Sequence, residues 1–341
     1  MTVDQNADHE WVIPCNNLTA SMAFYTEQLG FRIDAIFPAD APRVAILSGC
    51  GSRICLQQSD EPTPPSPHSA RIQFSAVTPK LDLPRLEPRF VINKSGGPDA
   101  WGEGRAGMLY RDLVPDRQGG GLIASHIRIP GGGPVPDYVH HHLVIFQVIY
   151  CYKGWVKVVY EDQGPEFTLR EGDCVLQPPG IRHRVLECSD GMEVIELSAP
   201  AEHMTFVDHD LDLPTPGLNP GREFGGQNFR RHQARASDWD PDLMAGFEAR
   251  ETGVRKASGG VASLQVIRAT GDPVATEAVV QGKLQLDFIL RGSLELTVNG
   301  QAEMLAEGDV FVIPGGDRWS LKSTTPELEL LHFVLFEYPH S

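Results

Sequence analysis

Two histidines stand at a spacing that suits metal binding. His140 and His142 occupy positions i and i+2, which places both side chains on one face of a β-strand. Imidazole nitrogens are ligands for divalent transition metals. His141, between them, is expected to point the other way and to be structural. Gln147 and Gly154 follow, and a second block then contributes Gly172, Pro178, Gly180 and His183.

These two blocks resemble the two conserved motifs of the cupin superfamily, whose members fold as double-stranded β-helices, or jelly rolls. The second block fits in full, and the first departs at Pro134, where a glycine is usual, and at Gln147, where an acidic ligand is usual. The resemblance implies that His140, His142 and His183 bind a metal. Gln147 is either a fourth ligand or a hydrogen-bonding partner of the substrate. The alternative is a metal-free binding protein with hydrogen-bonded histidines.

The expected cofactor is one divalent transition metal per chain. A site of neutral imidazoles leaves coordination positions open, which favours Fe(II) with a bound substrate, although Ni, Mn or Zn also fit because imidazole selects weakly. An amide at position 147 would keep the metal more electrophilic than a carboxylate would, and would better tolerate an anionic chelating substrate.

The pattern of this unit recurs once. Residues 154–183 align with residues 292–319, with a two-residue deletion at a predicted Asn299-Gly300 hairpin. The positions that match the ligand candidates are Ala278, Val280, Gln285 and Trp319. The second unit is therefore predicted to be metal-free and structural, either pairing edge to edge with the first unit or forming an oligomer face. An apolar ligand pocket beneath Trp319 is the alternative.

The elements that must position these residues are mainly β-strands. From residue 108 onward, short apolar runs alternate with glycine-rich turns, which is typical of sandwiches and barrels. The predicted fold is two tandem cupin barrels preceded by a small α+β module. The expected boundaries are 1–62 for the module, 63–107 for a linker and irregular segment, 108–215 for the metal-binding unit and 216–341 for the degenerate unit.

The N-terminal module reads as strand, helix and three strands, with Asn16 or Asn17 as helix cap and Gly30 as helix end. Its order and the sequence FYTEQLGFR resemble one module of the vicinal-oxygen-chelate (glyoxalase/dioxygenase-like) superfamily. That family binds metal at the first and last strands of paired modules. His9 matches the first position, but only Gln57 or Gln58 stands at the second. A degenerate packing or dimerisation module is therefore favoured, and a metal or substrate site, which would need a partner chain to be complete, is the alternative.

Strand parity suggests further residues of the site. If Gln147 points inward, so do Ile149 and Cys151. If His183 points inward, so do Val185 and Glu187. Glu187 is a candidate catalytic base or histidine-orienting group, with a surface ion pair as the alternative. Tyr138 is a second catalytic candidate, at the rim. Cys151 is expected to be a buried hydrophobe rather than a nucleophile.

Net charge and cysteine content indicate which classes of partner and which compartment to expect. The 341 residues carry a formal net charge of −16, which disfavours nucleic acid and anionic membranes. Six cysteines without a CxxC pair suggest reduced thiols, and no apolar leader is present, so a cytoplasmic protein is expected. The expected partners are a small-molecule substrate and a second copy of the chain, as a homodimer.

The resemblance implies an enzyme. Bicupin ring-cleaving dioxygenases of the gentisate and quercetin types have tandem units of this size, so a mononuclear non-haem Fe(II) dioxygenase acting on a phenol, diketone or similar metabolite is favoured. A metal-assisted isomerase or lyase is the nearest chemical rival. A non-catalytic small-molecule sensor is the alternative from another class.

Overall fold

The computed structural model describes residues 10–59, 81, 83–96, 100–104, 107–244, 246–271 and 275–338. Two sequence features lie outside these residues: His9, and residues 63–80 of the expected linker and irregular segment.

The N-terminal module is a four-stranded sheet with one helix packed on it. Its strands are β1 (Glu10–Cys15), β2 (Arg32–Phe37), β3 (Val44–Gly49) and β4 (Ser52–Gln58). Helix α1 (Leu18–Ala23) continues into a π-helical turn, Phe24–Gln28. The Asn17 side chain caps α1 by accepting from the Ala20 N–H at 2.9 Å, and Gly30 ends the segment at φ +71°. The predicted element order is confirmed.

Two short strands and eleven further strands make up the middle of the chain. The short strands are β5 (Val91–Asn93) and β6 (Gly102–Glu103). The others are β7 (Leu109–Asp112), β8 (Ile123–Ile129), β9 (Gly133–Pro134), β10 (His140–His142), β11 (Phe146–Lys153), β12 (Trp155–Tyr160), β13 (Phe167–Arg170), β14 (Cys174–Gln177), β15 (His183–Cys188), β16 (Met192–Ala199) and β17 (Thr205–Val207). Short strands between tight glycine turns produce this many elements.

A connecting segment and a second set of strands complete the chain. The connection contains β18 (Glu223–Phe224), β19 (Gln227–Asn228), β20 (Arg230–His232) and a 3₁₀ turn (Ala234–Ala236). The second set is β21 (Asp240–Met244), β22 (Phe247–Glu251), helix α2 (Val254–Ala257), β23 (Ala262–Ala269), β24 (Ala275–Val279), β25 (Leu284–Arg291), β26 (Ser293–Val298), β27 (Gln301–Ala306), β28 (Val310–Pro314), β29 (Arg318–Ser323) and β30 (Glu329–Leu335).

Each unit is a jelly-roll sandwich of two open sheets. In the first unit, a sheet in the order β20-β14-β11-β16-β8-β7-β6 faces the strands β17-β10-β15-β12-β13. In the second, β21-β22-β23-β30-β25-β28-β5 faces β24-β29-β26-β27. The predicted mainly β, tandem jelly-roll fold is confirmed. Asn299 and Gly300 both have positive φ, 51° and 80°, as the predicted hairpin requires.

The module and the first unit share one sheet. Strand β2 pairs with β17 through Thr205↔Ile36 and Phe206↔Ala35, so β1-β4-β3-β2 continues directly into β17-β10-β15. A single strand, β17, therefore separates β2 of the module from β10, the strand that carries His140 and His142.

The two units pack face to face. Alternate residues of β11 and β25 point into a shared core that contains Phe146, Tyr150, Phe288 and Phe333, and the rings of Phe146 and Phe333 stack at 5.8 Å. The expected edge-to-edge pairing is wrong because each of these central strands presents one apolar face to the other unit. Burial of that whole face outweighs pairing at an edge.

Strands are also exchanged along the chain. Strand β5, from the segment predicted as a linker, pairs with β28 of the second unit. Strand β20, which follows the first unit, pairs with β14 of that unit. No helix in the described part of the chain has the length and apolarity needed to cross a bilayer.

Candidate metal centre

Three buried histidines converge inside the first unit. His140 and His142 lie on β10, and His140 pairs directly with His183 on β15. The three side chains are 2%, 6% and 5% exposed, and one donor nitrogen from each lies within 4.8 Å of the others. The spacing on β10 and the register of β15 thus bring together the three predicted ligand candidates.

The outer nitrogen of each ring is held by a hydrogen-bonding partner. His140 Nδ1 donates to the Tyr138 carbonyl at 2.8 Å, and His183 Nδ1 donates to the Ile181 carbonyl at 3.1 Å. His142 Nδ1 lies 2.9 Å from Thr205 Oγ1. The two carbonyl acceptors place the proton of His140 and His183 on Nδ1, which leaves Nε2 of these rings as the ligand atom, and the Thr205 hydroxyl orients the His142 ring. Three imidazoles held in this way fit a divalent transition metal.

A cavity of about 90 Å³ adjoins the histidines. Most of its lining is apolar, and the polar residues beside the histidines include Gln147, Gln177, Tyr160 and Glu196. The Gln147 Nε2 donates to Glu196 Oε1 at 2.7 Å. Gln147 Oε1 is buried and accepts no hydrogen bond from any described residue. The amide oxygen of Gln147 is thus the atom left to act as a ligand or to bind substrate.

Four residues near the histidines were missed in the sequence. The Tyr160 ring stacks on His183 at 5.5 Å, and its hydroxyl accepts from Gln177 Nε2 at 2.9 Å. Complete burial raises the pKa of Tyr160 well above its usual value, so the phenol stays protonated. The His203 ring lies 5.4 Å from His142. A signal existed only for Glu196, which with Glu193 is one of two carboxylates in the otherwise largely apolar strand β16.

The predicted alternation of inward-pointing residues agrees with the structure on β11 and at Val185 of β15, but not at Glu187. Ile149 lines the cavity with Gln147, and Cys151 is fully buried in the same interior, where burial raises its thiol pKa to about 12. Val185 also lines the cavity.

Glu187 does not face the histidines as expected. A β-bulge shifts the register so that Lys157 pairs with Glu187 while the next residue, Val158, pairs with Val185. The extra residue reverses the alternation, and Glu187 instead forms an ion pair with Lys157 at 3.0 Å. The expectation that Glu187 points inward is therefore wrong, and the alternative of an ion pair outside the cavity describes its place.

Tyr138 stands at the boundary between the module and the first unit. Its side chain is 57% exposed and lines a second cavity of about 250 Å³, together with Met22, Ile33 and Ile36 of the module. His140 lines both cavities. Tyr138 thus contributes its carbonyl to His140 and its side chain to the adjoining cavity, and its catalytic role stays a prediction.

The second unit differs at the matching positions. Ala278 pairs with Trp319, just as His140 pairs with His183, so the sequence alignment is correct in space. Trp319 is 5% exposed and belongs to the core. A buried polar trio also lies here: Asp287 accepts from Gln285 Nε2 at 2.6 Å and contacts His332 Nδ1 at 2.7 Å. Among described residues, only the three histidines of the first unit form a group with metal-ligand spacing.

Two tandem jelly rolls, one of which contains converging histidines, define a bicupin. The cupin domain family model matches residues 125–198. The glyoxalase/bleomycin resistance protein/dioxygenase superfamily model matches residues 9–149, which extends past the module into the first unit. The chain therefore has a bicupin fold, with a segment that matches the cupin domain model and an N-terminal glyoxalase-like module.

Solved structures share this fold at low sequence identity. A variant of Bacillus subtilis oxalate decarboxylase is similar over 75% of this chain and 81% of its own, with a TM-score of 0.52 and 15% identity. Salicylate 1,2-dioxygenase from Pseudaminobacter salicylatoxidans is similar over 77% of this chain and 88% of its own, with a TM-score of 0.51 and 16% identity. The 11S globulin from Wrightia tinctoria, described with an auxin binding site, is similar over 74% of this chain and 87% of its own. Its TM-score is 0.53 and its sequence identity is 12%. No curated protein matches the sequence.

Proposed function

We propose that the chain is a metal-dependent enzyme, and specifically a mononuclear non-haem Fe(II) dioxygenase that acts on a small oxygenated metabolite such as a phenol or diketone. The observation that carries this proposal is the group of three oriented imidazoles beside a mostly apolar cavity. Similarity in fold to salicylate 1,2-dioxygenase agrees with it.

His140, His142 and His183 would hold the metal, with the Gln147 oxygen as the fourth protein ligand. A divalent ion in such a set supplies Lewis-acid polarisation of a chelating substrate and, as iron, one-electron chemistry with dioxygen. Because all four protein ligands would be neutral, the positive charge of the metal would remain uncompensated until an anionic substrate binds. A ligating carboxylate would already cancel part of that charge.

The surrounding residues orient the substrate and exclude water. The Tyr160 hydroxyl accepts from Gln177, so its own proton is available to a substrate oxygen in the cavity. Aliphatic side chains such as Ile127, Ile149 and Val158 cover the remaining surface and lower the local dielectric constant, which strengthens polar contacts to the reacting group.

Glu196 serves as a positioning residue for Gln147. Its carboxylate accepts from the Gln147 amide nitrogen at 2.7 Å, which fixes which end of the amide is left to the metal. Glu196→Leu, which removes the acceptor, should weaken metal binding by about 10–100-fold, the usual cost of losing an outer partner, measured by competition with a chromogenic chelator. Glu187→Leu, outside the cavity, is the matched control. Equal affinity for Glu196→Leu and wild type would contradict this role.

The second cavity suggests how the substrate is shaped. It is lined mainly by apolar side chains from the module and the first unit, and it shares His140 and Met108 with the first cavity. We infer a compact chelating head at the histidines and an apolar body that extends towards the module.

Ile36→Trp, which fills the second cavity, should therefore lower kcat/KM for bulky aryl substrates by about tenfold or more, as expected when a well-placed contact is lost. The metal content should not change. Met304→Trp, at an exposed position of the second unit, is the control. An unchanged preference between bulky and minimal substrates would show that the substrate does not reach the module.

Oxygen uptake tests the proposed reaction. Protein loaded anaerobically with Fe(II) is mixed with phenols, diketones and thiols, and dioxygen consumption is recorded together with product formation. Product without dioxygen consumption would support a metal-assisted isomerase or lyase. Tight ligand binding without turnover for any metal would support a sensor, a role that the auxin site described for the 11S globulin makes worth testing.

A further inference from the structure

A third cavity, of about 230 Å³, lies between the two units. Strand β11 separates it from the metal centre: Gln147 and Ile149 face the histidines, whereas Tyr150 and Tyr152 face this cavity. Its lining is largely polar and includes the three arginines Arg250, Arg268 and Arg291. It is therefore distinct in place and chemistry from the two apolar cavities.

Arg250 is the unusual member of this lining. Its side chain is only 8% exposed, and its Nε is buried without a hydrogen-bond partner. Within the described residues, the guanidinium forms no ion pair with a carboxylate, and it lies over the Trp239 ring at 4.7 Å. An uncompensated buried cation is costly, which indicates that Arg250 is kept for a partner outside the chain.

The neighbouring arginines are already paired. Arg268 lies over the same Trp239 ring at 3.8 Å and forms an ion pair with Glu248. Arg291 forms an ion pair with Glu171 at 2.6 Å. These pairs frame the cavity without neutralising Arg250.

A second polar group faces the same space. Tyr150 is 3% exposed, and burial raises its pKa far above the usual value, so its hydroxyl keeps its proton. This hydroxyl makes no hydrogen bond with the described residues. Arg250 and Tyr150 thus offer a guanidinium and a phenol as donors to one small volume.

We propose that this cavity binds a small organic carboxylate as a monoanion. A planar guanidinium matches a carboxylate with two parallel hydrogen bonds, and Tyr150 can donate to the same group. Glu171 and Glu329 also line the cavity, and their negative charge disfavours a dianion such as phosphate.

The test compares binding of benzoate, acetate and inorganic phosphate to the full-length protein by calorimetry, before and after treatment with a metal chelator. Saturable millimolar binding of a carboxylate is expected in both preparations, with phosphate weaker. Arg250→Met should weaken carboxylate binding by at least about tenfold, since it removes a charge-assisted pair. Arg255→Met, which removes a charge outside the cavity, should bind as wild type does.

Thermal unfolding distinguishes a ligand-binding arginine from a structural one. Without added anion, Arg250→Met should be as stable as wild type or more stable, because a buried cation is removed. Arg250→Lys, which keeps the charge without the planar fork, should bind with intermediate affinity if Arg250→Met fails to fold. Three results would overturn the proposal: carboxylate binding lost with the chelator but kept in Arg250→Met, tighter binding of phosphate, or no saturable binding by wild type.

Discussion

Replacing His140 or His183 with alanine is expected to abolish stoichiometric metal binding while leaving the β-sandwich folded. Each substitution removes one of three converging imidazoles, so the affinity should fall by more than the roughly 10–100-fold lost with an outer partner. The apolar interior that holds the sheets together, including Ile127, Val158 and Val194, is unchanged. Elemental analysis gives the metal content, and circular dichroism reports the fold.

His141→Ala provides a control on the same strand. The His141 ring stacks on Phe206 at 5.3 Å and is not part of the three-histidine group, so its loss should leave one metal per chain. Retention of a full equivalent of metal by His140→Ala, or its loss from His141→Ala, would show that the ligand assignment is wrong.

Trp319→Ala should be the most destabilising of these substitutions and should leave the metal content unchanged. The indole is 5% exposed in the core of the second unit, and truncation of a buried tryptophan costs about 3–5 kcal/mol. Urea unfolding monitored by circular dichroism would measure that loss, and elemental analysis of the same samples would measure the metal.

Trp319→Phe is the matched variant. It keeps most of the apolar volume, and the buried indole Nε1 has no hydrogen-bond partner among the described residues, so little beyond packing is lost. Stability close to that of wild type is expected. Loss of metal from either variant would mean that the second unit contributes to the site and is not only structural.

Local patterns predicted much of this structure. The cap at Asn17, the Asn299-Gly300 hairpin and the alternation that turns Ile149 towards the cavity all depend on residues close in sequence. The repeat predicted the fold of the second unit and placed Ala278 opposite Trp319. Each of these features follows from dihedral preference or strand periodicity.

Long-range features could not be predicted in the same way. The bulge that turns Glu187 outward exists only in the pairing of β12 with β15. Glu196 reaches Gln147 from a strand 49 residues away, and no local pattern specifies that contact. The pairing of β5 with the second unit and of β20 with the first depends on which sheet edges remain open after the sheets form.

Because β2 pairs with β17, the N-terminal module supports the strands that carry the histidines. Strand β17 hydrogen-bonds to the module on one side and to β10 on the other, and its Thr205 holds the His142 ring. Without the module, β17 would become a bare sheet edge, prone to fraying and to association with other chains. The module therefore helps to fix the positions of the histidines from outside the jelly roll. A protein that lacks the module would lose this support and also the module residues that line the second cavity.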